Sequence, residues 1–400
     1  MIDAAVRRLD AGPADPPSAD GARPGLTALG LVDFRNYAAL DLRPSADHVV
    51  LVGDNGAGKT NVLEAVSLLS PGRGLRRATL DGMARSGGPG GWTVSARLAA
   101  RDGFVRLGTA FEVGAGEGET RSRQIRIDGE AVKSAEDLID FLTVLWLTPA
   151  MDGLFTGPAS DRRRFLDRFV LALDPRHGTR VSLFEKTMRG RNRLLEEERP
   201  DAVWLAAIEA QMAELGVAIA AARVETVACL TRLIAASRDD GSPFPHADLA
   251  LEGEIEAMAA AGGPASDTED RYRRLLADGR RRDAGAGRTL EGPHRADLIV
   301  EHGPKGVLAE RSSTGEQKAL LIGLVLAHAQ LVAETRGRAP ILLLDEIAAH
   351  LDERRRVSLF ERLDALGGQC WMTGTDPSAF RNLAGRAQIF EVAGGGIRPK

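Results

Sequence analysis

Apolar residues change their period several times along this chain, and each change predicts a change of structure. In LTALGLVDFRNYAALDLRP (26–44) apolar and polar positions alternate, which predicts two short strands. HVVLVG (48–53) is an unbroken β-branched and Leu run, as expected of a strand covered on both faces. TNVLEAVSLLS then takes helical spacing, with Val62, Leu63, Val66 and Leu69 on one side. Short strands return between 92 and 127 as WTVSARLAA, FVRLGTAFEV and RQIRIDG, separated by Gly-rich turns such as GAGEGE. From 135 to about 287, long Ala, Leu, Arg and Glu stretches predict helices packed on one another, with breaks near 240–247 and 261–267. Strand patterns resume with RADLIVEHG and end with QIFEVAGGGI.

This order predicts an α/β core interrupted by a helical insertion. The expected divisions are 1–24, 25–135, 136–287 and 288–400. The first, rich in Ala, Pro, Gly and Asp, is expected to be a disordered leader, or to follow a start codon placed too early.

Composition narrows the class without naming a partner. A net charge of −4 would repel phosphates, so any nucleic-acid binding must come from a local basic patch. Two cysteines, Cys229 and Cys370, make neither a metal-ligand spacing nor a disulfide framework. The longest apolar stretch, 319–333, is too short to span a bilayer, and the N-terminus lacks the apolar core of a secretory signal. A soluble cytoplasmic protein with no membrane partner is expected.

Gly53-Asp54-Asn55-Gly56-Ala57-Gly58-Lys59-Thr60 fits G-x-x-x-x-G-K-[ST], between an apolar strand and an amphipathic helix. Glycines let successive backbone N–H groups converge on phosphate oxygens, and the following helix adds its positive end. Lys59 is expected to neutralise β/γ-phosphate charge and to be catalytic, and Thr60 to ligate Mg²⁺. The run 340–346 (PILLLDE) is a buried strand ending in two acids, which are expensive to bury without a cation or a proton to move. Asp345 suits the Mg²⁺ shell, and Glu346 suits polarising the attacking water. The expected cofactors are ATP and Mg²⁺.

Ser313-Thr314-Gly315-Glu316-Gln317 precedes the apolar helix ALLIGLVLAHAQL, about thirty residues before Asp345. A Ser at such a place can be a plain helix cap. Its position between the P-loop and the Asp-Glu strand makes it similar to the signature of the ABC/SMC-like ATPases. Within that class the chain resembles the RecF family from about residue 26 to its end. The resemblance is carried by FRNY, GDNGAGKTNVLEAVSLLSPGRGLR, LTPAMDGLFTGPASDRRRFLDRFVLALDP, EKTMRGRNRLL, EGPHRADL, STGEQK and LLLDEIAAHLD, in this order.

The resemblance implies an ABC/SMC-like P-loop head, with mixed sheet and antiparallel β lobe, carrying an inserted helical domain. It implies ATP-driven homodimerisation, in which Ser313 and Gly315 address the γ-phosphate held by the other copy, with Leu351-Asp352 at the same interface. Arg35 and Asn36 would lie near adenine or ribose. Implied partners are single-stranded DNA, gapped duplex DNA, RecR and RecO, in recombinase loading, replication restart and SOS induction. Three departures stand out: no His follows QCWMTGTD, no Gln stands in LTPAMD, and Glu316 replaces the more usual Gln. The first two predict slow, switch-like hydrolysis, which the resemblance implies is DNA-stimulated; the third bears on the contacts of the signature.

Arg162–164, Arg189, Arg191 and Arg193, and the group at 271–282 are candidate phosphate contacts, although charge runs are commonly solvated helix faces, and no single DNA-binding residue is assigned. The alternatives are an ABC-type subunit of a transporter and a P-loop small-molecule kinase.

Overall fold

The computed structural model describes residues 25–100, 103–112, 122–239, 241–348 and 351–400. The leader expected at 1–24 and the GAGEGE turn lie outside them. The chain forms two compact units, one from Met1–Met151 with Val332–Lys400, the other from Asp152–Leu331.

The first unit contains two six-stranded sheets. Strands β1 (Gly25–Phe34) and β2 (Tyr37–Leu42) are the predicted alternating pair. They join β4 (Trp92–Ala100), β5 (Gly103–Phe111), β6 (Arg123–Ile127) and β7 (Glu130–Val132) in an antiparallel sheet of order β2-β1-β4-β5-β6-β7. The second sheet is centred on β3 (His48–Val52), all five residues of which are buried. Its order is β15-β14-β3-β13-β12-β8, with β8 (Val144–Leu147), β12 (Ile341–Leu344), β13 (Cys370–Gly374), β14 (Ala387–Ala393) and β15 (Gly396–Pro399). All its pairs are parallel except β14–β15. Parallel strands covered on both faces account for the unbroken runs VVLV and ILLL. Helix α1 (Lys59–Ser67) places Val62, Leu63 and Val66, with Leu69 beyond its end, in one core cluster with Leu29, Val49 and Trp371.

The second unit is mainly helical. It contains α2 (Ala159–Leu173), α3 (His177–Leu195), the 35-residue α4 (Ala202–Ala236), α5 (Glu254–Ala260), α6 (Ala265–Asp278) and α7 (Arg280–Ala286). The side chain of Asp201 caps α4 by accepting from the backbone N–H groups of Val203 and Trp204. A small antiparallel sheet of order β11-β10-β9 completes it, from β9 (Ala247–Glu252), β10 (Asp297–His302) and β11 (Val307–Leu308).

Two strands correct the all-helical reading of 136–287. VLWL is β8, an apolar run too short for periodicity to separate strand from helix. ADLALE is β9, which follows the expected break after α4 and pairs with β10. The limits of the second unit, 152 and 331, accordingly differ from the 136 and 287 expected from composition.

Buried ions organise this helical unit. The guanidinium of Arg191, fully buried, pairs with Glu209 at 3.0 Å and Asp283 at 2.7 Å, and donates to Thr289 and to the Leu276 carbonyl. Arg223 likewise pairs with Asp167 at 2.9 Å and Glu256 at 3.0 Å and donates to the Pro293 carbonyl. Burial works against the charged form of Asp167, but hydrogen bonds from His177 and the charge of Arg223 pull its carboxyl down to about 2. The RNRLL and GPHR segments are therefore held by structural chemistry.

The apolar stretch noted at 319–333 lies inside α8 (Thr314–Arg336), a helix of 23 residues. By length and composition α8 could cross a membrane, yet 61% of its most apolar window is buried within the protein. That helix spends its apolar surface on the fold.

Candidate nucleotide site

β3 ends at Val52, and the chain turns through 53–58 into α1. Two glycines are dictated by crowding. At Gly53, where φ is 156°, an added Cβ would lie 2.2 Å from the Val392 carbonyl oxygen. At Gly58, where φ is 114°, it would lie 2.5 Å from Asn36 Nδ2 and 2.7 Å from the Tyr37 hydroxyl. Only glycine accommodates both the backbone and the neighbours.

The FRNY segment wraps this loop from the β1–β2 hairpin. Asn36 Nδ2 donates to the Ala57 carbonyl at 3.1 Å, and the Tyr37 hydroxyl donates to the Gly58 carbonyl at 3.1 Å. Asn61 Nδ2 returns a bond to Asn36 Oδ1 at 2.7 Å. The Arg35 guanidinium is engaged with the buried Glu64 carboxylate, at 2.8 and 2.6 Å, and with the Gly82 carbonyl. Arg76 donates to the same carboxylate at 3.0 Å. Asn36 therefore buttresses the loop, and Arg35 bridges the hairpin to α1. Sequence reasoning did not anticipate the partner Glu64.

Lys59, 4% exposed, turns back over the loop and donates to the carbonyls of Gly53 at 2.6 Å and Asp54 at 2.9 Å. Its ammonium sits where the loop would cradle an anion. Thr60 Oγ1 donates to Asp345 at 3.0 and 3.2 Å to the two carboxylate oxygens. A hydroxyl and a carboxylate in contact, beside a lysine and a glycine-lined turn, are the oxygen donors Mg²⁺ uses on a polyphosphate. These residues fit the expected ATP and Mg²⁺: Thr60 and Asp345 would hold the ion, and the loop and Lys59 the phosphates.

Asp345 follows directly on β12, where its N–H donates to the Leu147 carbonyl of β8 at 2.9 Å. Glu346 comes next at a φ of 54°, and its N–H donates to Thr373 Oγ1 at 2.9 Å. Thr373 in turn donates to Asp345 Oδ1 at 2.7 Å. Thr375 and Asp376, at the end of the QCWMTGTD run that no histidine follows, are exposed. The Asp376 carboxyl is held below its usual range by hydrogen bonds from the side chain and then the backbone of Ser378. Leu351 is buried and Asp352 caps α9 (Glu353–Leu366), accepting from the Arg355 N–H.

The signature residues belong to the other unit. The Ser313 carbonyl accepts the first N–H bonds of α8, from Glu316 and Gln317. Glu316 reaches back to the Ser313 N–H at 3.1 Å and accepts from its hydroxyl at 3.0 Å, as in a capping box. Lys305 donates to the other carboxylate oxygen at 2.6 Å. The bond from Lys305, then those from Ser313, pull the Glu316 carboxyl down to about 2. The unusual Glu316 thus has a definite task at this helix start, beside Gly315 in the first turn. Here the Ser313 hydroxyl faces its own capping carboxylate.

Much of the arginine inventory is absorbed by the fold. Arg162 pairs with Asp297 at 2.6 Å, Arg163 donates to the Ala296 carbonyl, Arg191 is buried, and Arg280 pairs with Glu209. Arg164 and Arg273 are about half exposed, and each pairs with an acid three residues earlier.

Residues 25–395 match the family described as RecF/RecN/SMC N terminal domain. The DNA replication and repair protein RecF of Rhizobium leguminosarum bv. trifolii (strain WSM2304) is 59% identical over 372 residues, 93% of this chain and 98% of that protein. The chain belongs to the RecF family. RecF of Mesorhizobium japonicum is 58% identical over 376 residues, 94% of this chain and 97% of its own length. A solved structure of the recombination mediator protein RecF-ATPrS in the RecFOR pathway shares the fold at TM-score 0.82 and 21% identity, covering 94% of this chain and 98% of that one. An Smc head domain from Pyrococcus furiosus matches at TM-score 0.52 and 16% identity, covering 94% and 96%. Membership in the RecF family makes this an ATP-binding DNA replication and repair protein with an ABC/SMC-like head, and sets the transporter alternative aside.

Proposed function

We propose that this chain is an ATP-dependent dimerisation switch on DNA. The contact of Thr60 with Asp345 carries the reading, because it joins the phosphate loop to the acidic strand end that a magnesium–triphosphate complex requires. Mg²⁺ would be held by Thr60 and Asp345, the triphosphate by residues 53–60 with Lys59, and the nucleoside side by the Arg35–Asn36 hairpin. Glu346 would take the proton of the attacking water.

Two copies would face each other, the helix start at Ser313 and Gly315 of one addressing the γ-phosphate held by the other, since a helix N-terminus favours an anion. Ser313 would exchange its bond to Glu316 for that phosphate, with Lys305 holding the carboxylate aside. ATP then joins the copies, and slow hydrolysis releases them. The described relatives work in DNA repair, so the dimer would act on single-stranded DNA and gapped duplex in the cytoplasm, with RecR and RecO as protein partners. Phosphate contacts of this kind are sequence-tolerant and weaken steeply with salt.

Sedimentation with and without ATP, Mg²⁺ and gapped DNA tests the proposal. A shift from monomer to dimer with ATP, strengthened by the DNA junction, is expected. A chain that stays single at saturating ATP under both conditions is not this switch.

A further inference from the structure

Thr373 is fully buried at the end of β13, the strand that lies between the phosphate-loop strand and the acidic one. Its single hydroxyl makes two bonds in opposite senses. It donates to Asp345 Oδ1 at 2.7 Å and accepts the Glu346 N–H at 2.9 Å. The second bond matters because of the backbone it holds. Glu346 has a φ of 54°, a left-handed conformation that is costly for a non-glycine residue and persists only where neighbours enforce it. The turn falls directly after Asp345, which keeps its bond from Thr60.

We propose that Thr373 is a positioning residue for hydrolysis, whose hydroxyl locks the turn at Glu346 and thereby aims that carboxylate at the attacking water. The inference rests on the reading of Glu346 as the proton acceptor. In the step concerned, water oxygen bonds to the γ-phosphorus as the bond to the ADP oxygen breaks, and the water proton passes to Glu346. Thr373 touches none of the reacting atoms. Valine at this position keeps the shape but offers neither bond, whereas serine keeps both.

The test compares T373V, T373S and T373A with wild type and E346Q, by equilibrium ATP binding, single-turnover hydrolysis and sedimentation. T373V is expected to bind ATP within about threefold of wild type, to hydrolyse it about 10–100-fold more slowly, and to hold the ATP dimer longer, as a misplaced catalytic group does. T373S is expected to recover hydrolysis to within about threefold, and E346Q/T373V to be no slower than E346Q. If T373V proves poorly folded, T373A against T373S makes the same comparison. Wild-type hydrolysis in T373V or T373A, or equal slowness in T373S, overturns the assignment of Thr373 alone. Wild-type hydrolysis in E346Q overturns the reading of Glu346 beneath it.

Discussion

The hydroxyl of Thr60 and the carboxylate of Asp345 meet at 3.0 Å although 285 positions separate them in the chain. The first is the second residue of α1 and the second follows β12, so the contact measures how the parallel sheet assembles the phosphate loop and the acidic strand end. Replacing Asp345 by Asn keeps the shape and removes a charge that Mg²⁺ needs. D345N is expected to lose the Mg²⁺-dependent part of ATP binding, about 10–100-fold, while metal-free binding changes little. Titration of a fluorescent ATP analogue with and without Mg²⁺ measures both.

Lys59 presents the opposite charge. Its ammonium is anchored on the Gly53 and Asp54 carbonyls and nearly excluded from water, so it is already aimed into the loop. K59A is expected to weaken ATP binding by about 100-fold or more, the value of a charge-assisted phosphate contact in a partly dry site. Circular dichroism on the same preparation reports whether the fold is intact. Undiminished affinity in a folded K59A would take the phosphates away from this loop.

Glu346 is expected to act late. E346Q should bind ATP as wild type does and accumulate the dimer, with hydrolysis slowed by about 10²–10⁴-fold, the usual contribution of a positioned proton acceptor. Sedimentation and phosphate release on the same preparation read both properties.

Local patterns made the head legible. VVLV before Gly53 and ILLL before Asp345 are parallel strands because only such strands tolerate apolar residues on both faces. What spacing could not supply was long-range pairing. VLWL lies in a helix-rich stretch, and only its partner β12 makes it a strand. Arg191 looked like one of three outward arginines on a helix, yet Glu209 and Asp283, distant in sequence, bury it. Thr373 lies inside QCWMTGTD, a run that stood out in the sequence only because no histidine follows it. Its importance comes from the turn at Glu346, which no periodicity reveals.

Arg191 offers a stability test of that last distinction. With both carboxylates buried around it, R191A leaves Asp283 without its counter-ion and Glu209 with Arg280 alone, and should destabilise the protein by about 3–5 kcal/mol. Arg193 is exposed, and R193A should stay within about 0.5 kcal/mol of wild type. Urea unfolding followed by circular dichroism separates the two. An R191A protein as stable as wild type would return this arginine to the candidate DNA contacts.

A second buried group gives the helical unit a pH dependence. The His328 ring of α8 stacks on Phe169 at 3.8 Å between centroids, 5° from parallel, and its Nε2 proton is donated to the Phe169 carbonyl at 3.0 Å. Complete burial disfavours the imidazolium and pushes the ring down from 6.5 to about 3, so the folded protein holds it neutral. The unfolded chain protonates near the ordinary value, hence it binds more protons than the fold between those two limits. The contribution of His328 is full above pH 6.5 and is lost as pH falls toward 3, by about 1.4 kcal/mol for each unit. H328L cannot take up the proton. It should be less stable than wild type at pH 8, having given up the bond to Phe169, and the gap should close or reverse by pH 5. Urea midpoints for the two proteins at pH 8, 6.5 and 5 decide the matter, since every other titrating group is common to both. Parallel pH profiles would place a charged imidazole in the core, and the flat stack on Phe169 would then need a counter-ion that neither of its hydrogen-bonding atoms has.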